Sequence, residues 1–108
     1  MSDLDLPHVL VIYEPAERYP CGTPTQVAQA LAAMPEMAVH MARLGEAAAR
    51  GEILLGGPAS GRDGRPQGGM VVFRGLDLAA VAAFVADDPV VREGIERARV
   101  CRFEPVLG

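Results

Sequence analysis

Apolar residues occur along the chain in four short runs that alternate with two longer stretches of helical periodicity. Residues 9–13 are β-branched and other apolar residues, which predict a strand buried on both faces or nearly so. Residues 52–58 and 70–73 predict two further strands, and the polar, glycine-rich residues 59–68 join them as a β-hairpin with a long tip. Residues 99–103 predict the last strand.

The first helical region is divided in two by Pro35. Thr23 followed by Pro24 is typical of an N-cap with proline at the first helical position, and it opens a short helix through Ala33. A longer helix is predicted over residues 36–50. Its apolar side chains share one face: Met37, Met41, Leu44 and Ala48. Its charged side chains are expected on the opposite face: Glu36, Arg43, Glu46 and Arg50.

The second helical region follows the hairpin. Asp77 is a suitable N-cap for it. The apolar stripe of this helix consists of Leu78, Val81, Ala82 and Val85. The acidic pair Asp87-Asp88 and Pro89 end the helix, and residues 90–95 are expected to add one further turn.

The predicted order of elements is strand, helix, strand, strand, helix, strand. This is the ferredoxin-like, or split βαβ, arrangement: an α+β fold with a four-stranded antiparallel sheet and both helices on one face. No helix remains to cover the other sheet face, so a second copy of the chain that packs sheet to sheet is expected. Residues 1–108 are expected to form a single domain, because no linker or repeat divides them.

Composition and charge narrow the classes of partner. The chain has 108 residues and a net charge of −4, and its ten basic residues are all arginines, scattered along the sequence, which argues against a nucleic acid partner. Neither a signal peptide nor a membrane-spanning segment is indicated, so the expected location is the cytoplasm. Cys21, in a loop, and Cys101, expected as a small core residue, are predicted to remain free thiols there.

His40 and the acidic pair are the candidate chemical groups. His40 lies about 70° from the centre of the apolar stripe, taking about 100° per residue, so its side chain can reach a pocket at the stripe's edge. A histidine carries protons near neutral pH, and a nearby carboxylate such as Asp88 can fix its tautomer. An Asp before Pro is also a common turn residue, and Arg92, four residues later, offers it a different partner.

Other candidate sites are fewer. Gly57 and Pro58 either shape a substrate pocket, by letting the backbone approach a ligand, or only form a turn. Neither a cluster of metal ligands nor a nucleotide-binding glycine pattern is present in the sequence, so no metal and no organic cofactor is expected.

In their order and spacing these segments resemble the YCII-related (YciI-like) family of the dimeric α/β-barrel superfamily. The resemblance is carried by residues 9–13, 40–44, 51–58, 68–73 and 88–91, with Gly94. It implies a ferredoxin-like subunit that dimerises through its sheets and has a pocket between sheet and helices. It also implies that His40 and Asp88 are the active pair, although Asp87 is an additional acid beside them. The segment 16–34 is longer than in compact members, which implies a different pocket mouth.

Three functions stay open on this basis. The resemblance implies a cofactor-independent enzyme of lyase or isomerase type that acts on a cyclic or aromatic substrate, including removal of chloride from chlorinated aromatic rings. In this hypothesis His40 transfers a proton and Asp88 orients the His40 side chain. The alternatives are a cofactor-free oxygenase of the same superfamily and a non-catalytic, ligand-binding or regulatory dimer. A cavity beside His40 favours a ligand site, whereas a solidly packed ring favours a structural role.

Overall fold

Residues 6–107 are described by the computed structural model, and they form four strands and four helices. In chain order these are β1 (His8–Pro15), α1 (Pro24–Ala32), α2 (Pro35–Ala49), β2 (Ile53–Ser60), β3 (Pro66–Arg74), α3 (Leu78–Ala86), α4 (Pro89–Arg92) and β4 (Glu96–Phe103). The strands make one sheet in the order β2-β3-β1-β4, and each neighbouring pair is antiparallel. The predicted ferredoxin-like α+β fold is confirmed.

The core lies between the sheet and the helices. Alternate residues of each central strand point to the same sheet face, and the apolar ones on the helix side fill this core. Val9, Val11 and Phe73 are at most 1% exposed, and they belong to one cluster with Val81 and Val85 of α3. Ala82, expected in the α3 stripe, is instead exposed. A second cluster consists of Tyr19, Val27, Val90 and Ile95, and it joins α1 to α4 beside the main core.

The α2 helix is rotated relative to the sequence prediction. His40 and Ala47 are its buried residues, whereas Met41 and Ala48 of the predicted stripe are exposed. Met41 and Ala48 face an open cavity rather than the closed core. The sequence therefore identifies the apolar side of α2. This side faces the cavity, whereas the neighbouring edge of the helix, with His40 and Ala47, packs in the core.

The strands extend further than the apolar runs indicate. Half of the loop predicted over residues 59–68 belongs instead to β2 and β3, which continue pairing to Ser60 and Pro66 across register irregularities and leave residues 61–65 as the tip. Similarly, β4 begins at Glu96 rather than at Arg99, because its first residues pair with Pro15, Glu14 and Tyr13 of β1. Backbone hydrogen bonds extend a ladder through polar or glycine-containing segments when a partner strand is already in place.

Local signals at the helix starts are confirmed. Thr23 and Gln26 form a reciprocal capping box at α1, with Pro24 at the first helical position. Asp77 caps α3 by accepting a hydrogen bond from the Ala80 amide at 2.8 Å. Asp88 caps α4 and Pro89 begins it, so the further turn expected over residues 90–95 is present as a short helix.

Candidate active site

A cavity of about 380 Å³ lies between α2 and the sheet. It falls within the usual range of small-molecule sites, roughly 300–1,000 Å³. Most of its wall is apolar, with Met37, Met41 and Leu44 on the helix side. Among its described lining residues the polar side chains are Tyr13, Tyr19, His40 and Glu96.

His40 and Asp88 meet at the edge of this cavity. His40 Nδ1 lies 2.7 Å from Asp88 Oδ2, although 48 residues separate them in sequence. The His40 residue is 6% exposed and Asp88 is fully buried. The ring of Tyr13 packs edge-on against the His40 ring, with 5.0 Å between centroids, and so limits its rotation. The expected approach of these two side chains is therefore present.

Asp88 has both roles that the sequence left open. Its Oδ1 accepts a hydrogen bond from the Val90 amide at 3.0 Å, as a turn residue and N-cap would. Its Oδ2 remains for His40. Arg92 is not its partner: the Arg92 side chain is exposed and lies 4.0 Å from Asp87. Asp87 is itself exposed, so Asp88 is the acid that faces His40.

Arg43 supplies a positive charge that the sequence analysis placed on the outer face of α2. Its Nη1 lies 3.3 Å from Asp88 Oδ2, and its guanidinium sits 4.1 Å from the centre of the Phe84 ring. Burial alone would raise the pKa of Asp88. The hydrogen bond and charge of His40, the Val90 amide and Arg43 outweigh burial and hold this pKa below its ordinary value. Asp88 is therefore ionised at neutral pH.

The tautomer of His40 follows from these contacts. An ionised Asp88 accepts hydrogen bonds only, so Nδ1 of His40 carries the proton that is shared with it. Nε2 has no hydrogen-bond partner among residues 6–107 and is not sealed from solvent. A neutral His40 thus offers an unprotonated nitrogen at the cavity wall.

Tyr13 and Glu96 complete the polar part of the wall. The Tyr13 hydroxyl is buried without a hydrogen-bond partner, and burial together with the charges of Asp88 and Glu96 raises its pKa, so it stays protonated. Glu96 is 5% exposed. Burial raises the pKa of its carboxyl, Asp88 adds to this effect, and His40 opposes it.

The remaining sequence candidates separate into near and distant residues. Gly57 and Pro58 both line the cavity, on the β2 side. Cys21 and Cys101 are both exposed, so the expectation that Cys101 is a core residue is wrong: it lies on the face of β4 turned away from the helices.

Three residues of the site were not predicted from the sequence, although the position of each one relative to its neighbours indicates that it faces inward. Arg43 follows His40 by three residues, which places both on neighbouring positions of one helix face. Tyr13 alternates with the buried Val9 and Val11. Glu96 has the same parity as the inward-facing Val100, but this is visible only when the strand begins at Glu96.

Within the described part of the chain, no group of three or more His, Cys, Asp or Glu side chains is arranged to hold a metal ion. No helix of residues 6–107 is both long and apolar enough to cross a membrane.

The fold and the site define a ferredoxin-like α+β protein with a buried His and Asp pair at a cavity of small-molecule size. The profile of the YCII-related domain matches residues 12–104, and the chain belongs to this family. No curated protein matches the chain. Among solved structures, it is similar to 5-chloro-2-hydroxyhydroquinone dehydrochlorinase from Burkholderia phenoliruptrix, in complex with 2,5-dihydroxybenzoquinone. The two share 23% identity with a TM-score of 0.57, over 88% of this chain and 92% of the other.

Proposed function

We propose that the protein is a cofactor-independent enzyme of lyase or isomerase type that uses His40 and Asp88 as an acid-base pair on a cyclic or aromatic small molecule. One observation carries the proposal: His40 Nδ1 lies 2.7 Å from the buried, ionised carboxylate of Asp88, at the wall of an apolar cavity.

The chemistry follows from the two ring nitrogens. Nε2 of His40 accepts a proton from the substrate, and the imidazolium that forms keeps its Nδ1 proton directed at Asp88. The negative charge of Asp88 stabilises this cation and needs no rearrangement, since the Val90 amide and Arg43 already hold the carboxylate in place. Return of the proton to another substrate atom gives isomerisation, and loss of a leaving group such as chloride gives elimination.

The cavity indicates the substrate class. Its volume of about 380 Å³ exceeds the roughly 150 Å³ that suffice for benzene, so one substituted ring fits with room for several substituents. The mostly apolar wall favours the ring faces, while Gly57 and Pro58 allow backbone close to the ligand. The solved relative is named for dehydrochlorination of a hydroxylated ring and holds a quinone, which supports the same class here.

The proposal includes a homodimer in the cytoplasm. Leu55 is 58% exposed on β2, at the sheet face that no helix covers, and a second sheet is the simplest cover for an apolar surface of this kind. Two free, exposed thiols suit a reducing compartment.

Turnover of hydroxylated and chlorinated ring compounds, including 5-chloro-2-hydroxyhydroquinone, tests the proposal. Ring absorbance and released chloride are measured under nitrogen, so that an oxygen-dependent reaction is excluded. His40→Ala should lower the rate on the order of a hundredfold or more, because general base catalysis is lost. His8→Ala is the matched control, since the chain has two histidines and His8 lies outside the cavity.

An equal rate for His40→Ala and the unmutated protein would reject His40 as the base. Ring compounds that bind without turnover would favour the ligand-binding dimer, and turnover that needs oxygen would favour the oxygenase.

A further inference from the structure

Glu96 is a buried acid on the cavity wall. Its position is fixed by the pairing of β4 with β1. It is the first residue of β4 and pairs with Pro15 of β1, on the helix-facing side that it shares with Ala98 and Val100. It is 5% exposed and lines the same cavity as His40.

The Glu96 carboxyl has no hydrogen bond and no ion pair with any residue in 6–107. The groups that influence or face it are His40 of α2, Asp88 before α4, and the hydroxyls of Tyr13 and Tyr19. Three arginines of the neighbouring elements are paired with other carboxylates: Arg43 with Asp88, Arg92 with Asp87 and Arg99 with Glu14. Helix α3 carries no charged side chain.

Burial in such a position disfavours the charged form of a carboxyl. Burial penalises the charged form, and the negative charge of Asp88 adds to this, so the pKa of Glu96 lies above its ordinary value although His40 opposes the shift. In its neutral form the group is a hydrogen-bond donor without an acceptor in the protein. An acceptor on a bound ligand would satisfy it.

We propose that Glu96 is a second proton-carrying residue of the cavity, which donates a hydrogen bond, and during reaction its proton, to an oxygen of the ring substrate. This inference rests on the proposed function, in which His40 is the base. It narrows the substrate to rings that carry a carbonyl or an ionised hydroxyl oxygen near the carbon that loses its proton.

The proton transfers balance without a further reactant. His40 Nε2 takes a proton from the carbon next to the carbonyl, and the C–H electron pair becomes a C=C bond. The π pair of the C=O bond moves to oxygen and takes the proton of Glu96, which leaves an enol, an imidazolium and a carboxylate. The substrate therefore carries a second C=C bond conjugated with the enol. Return of the enol proton to Glu96 re-forms the C=O bond, the enol C=C pair shifts by one bond, and the far carbon of the second C=C bond takes the imidazolium proton, which completes the isomerisation.

Binding of 2,5-dihydroxybenzoquinone, an acidic quinone that is anionic in neutral water, tests Glu96 separately from turnover. Its dissociation constant is measured by absorbance titration from about pH 5 to about pH 8 for the unmutated protein and for Glu96→Gln. An ionised Glu96 repels the anion, whereas the glutamine amide donates at every pH. Binding to the unmutated protein should therefore weaken with rising pH by roughly tenfold or more relative to Glu96→Gln. Glu14→Gln, an equal change of charge outside the cavity, should keep the original pH dependence.

Equal pH dependence in the unmutated protein and Glu96→Gln would overturn the role of Glu96 and leave the proposed function standing. No quinone binding by the unmutated protein at any pH would overturn both. The carboxyl carbon resonance of Glu96 in the unmutated protein gives the same answer without a variant. It should titrate above the ordinary range of glutamate and shift on addition of the quinone, and an ordinary titration with no shift would count against the proposal.

Discussion

At the scale of single residues, the site depends on how a buried negative charge is compensated. Asp88 is fully buried, and an isolated carboxylate in that position would become protonated. Three groups from two helices prevent this: His40 of α2 at 2.7 Å, Arg43 of the same helix at 3.3 Å, and the Val90 amide of α4 at 3.0 Å. The tautomer proposed for His40 therefore depends on Arg43, which does not line the cavity.

Replacement of Arg43 should weaken this arrangement. Arg43→Met keeps an unbranched apolar side chain against Phe84 but removes the charge beside Asp88. We expect a loss of about 2–3 kcal/mol in the free energy of unfolding at neutral pH, because breaking a buried ion pair typically costs roughly 3–5 kcal/mol and two partners of Asp88 remain. Urea unfolding of the variant and the unmutated protein measures this loss of stability. Arg50→Met, on the exposed end of the same helix, should change stability by less than about 1 kcal/mol, and equal losses would reject the role of Arg43.

The same pair predicts a dependence on pH. The pKa of Asp88 is depressed in the folded protein, so its contribution to stability is present above the ordinary carboxyl pKa and is lost as pH falls through the depressed value. Without Arg43 the pKa of Asp88 rises, and the loss should begin at a higher pH than in the unmutated protein. Urea unfolding across the acidic range measures both curves, and superimposable acid limbs would contradict the prediction.

At the scale of elements, the β2–β3 hairpin forms one side of the cavity by bringing two backbones very close together. A Cβ on Gly69 would lie 2.5 Å from the Gly57 carbonyl oxygen and 3.1 Å from Pro58 Cα. A Cβ on Gly57 would meet nothing within 4 Å. Neither glycine has a positive φ, so the two positions differ in space and not in backbone strain.

Alanine substitutions at these two glycines should therefore have different effects. We expect Gly69→Ala to cost about 1–3 kcal/mol, because the strands must separate to admit the methyl group. Gly57→Ala should stay within about 0.5 kcal/mol. Thermal unfolding of the two variants measures the difference. Equal melting temperatures would mean that the hairpin is looser than the structure indicates.

The accuracy of the sequence prediction also differs between elements. The apolar run 9–13, the caps Thr23 and Asp77, and the edge position of His40 were predicted because each has a local chemical signal. The extent of β4 and the inward direction of Arg43 were not, since both depend on partners distant in sequence. Pairing of His40 with Asp88 came from the family resemblance, because spacing alone gave Asp88 an alternative partner in Arg92.

At the scale of the whole molecule, the sheet has one covered and one uncovered face. Leu10 and Ile12, which are half-buried, have the opposite parity to the core residues of β1 and so lie on the uncovered face, the same face as Leu55 of β2. Apolar side chains on a surface of this kind favour association with a second copy of the chain.

Light scattering should give twice the chain mass of 11.4 kDa at micromolar concentration. Leu55→Glu should shift the equilibrium toward the monomer, because a charge would be buried in the proposed interface. Val39→Glu is the matched control, since Val39 is 47% exposed on α2, away from the sheet. A monomer in the unmutated protein would reject the dimer.

A crystal structure of the protein with 2,5-dihydroxybenzoquinone tests the central proposal most directly. We predict that the quinone ring lies in the cavity between α2 and the sheet, with the edge of the ring, at a carbon next to a carbonyl, facing His40 Nε2. The contact of His40 Nδ1 with Asp88 Oδ2, 2.7 Å in the free protein, should be kept. A quinone bound elsewhere while this cavity stays empty, or a His40 ring turned away from Asp88 in the complex, would contradict the proposed acid-base pair.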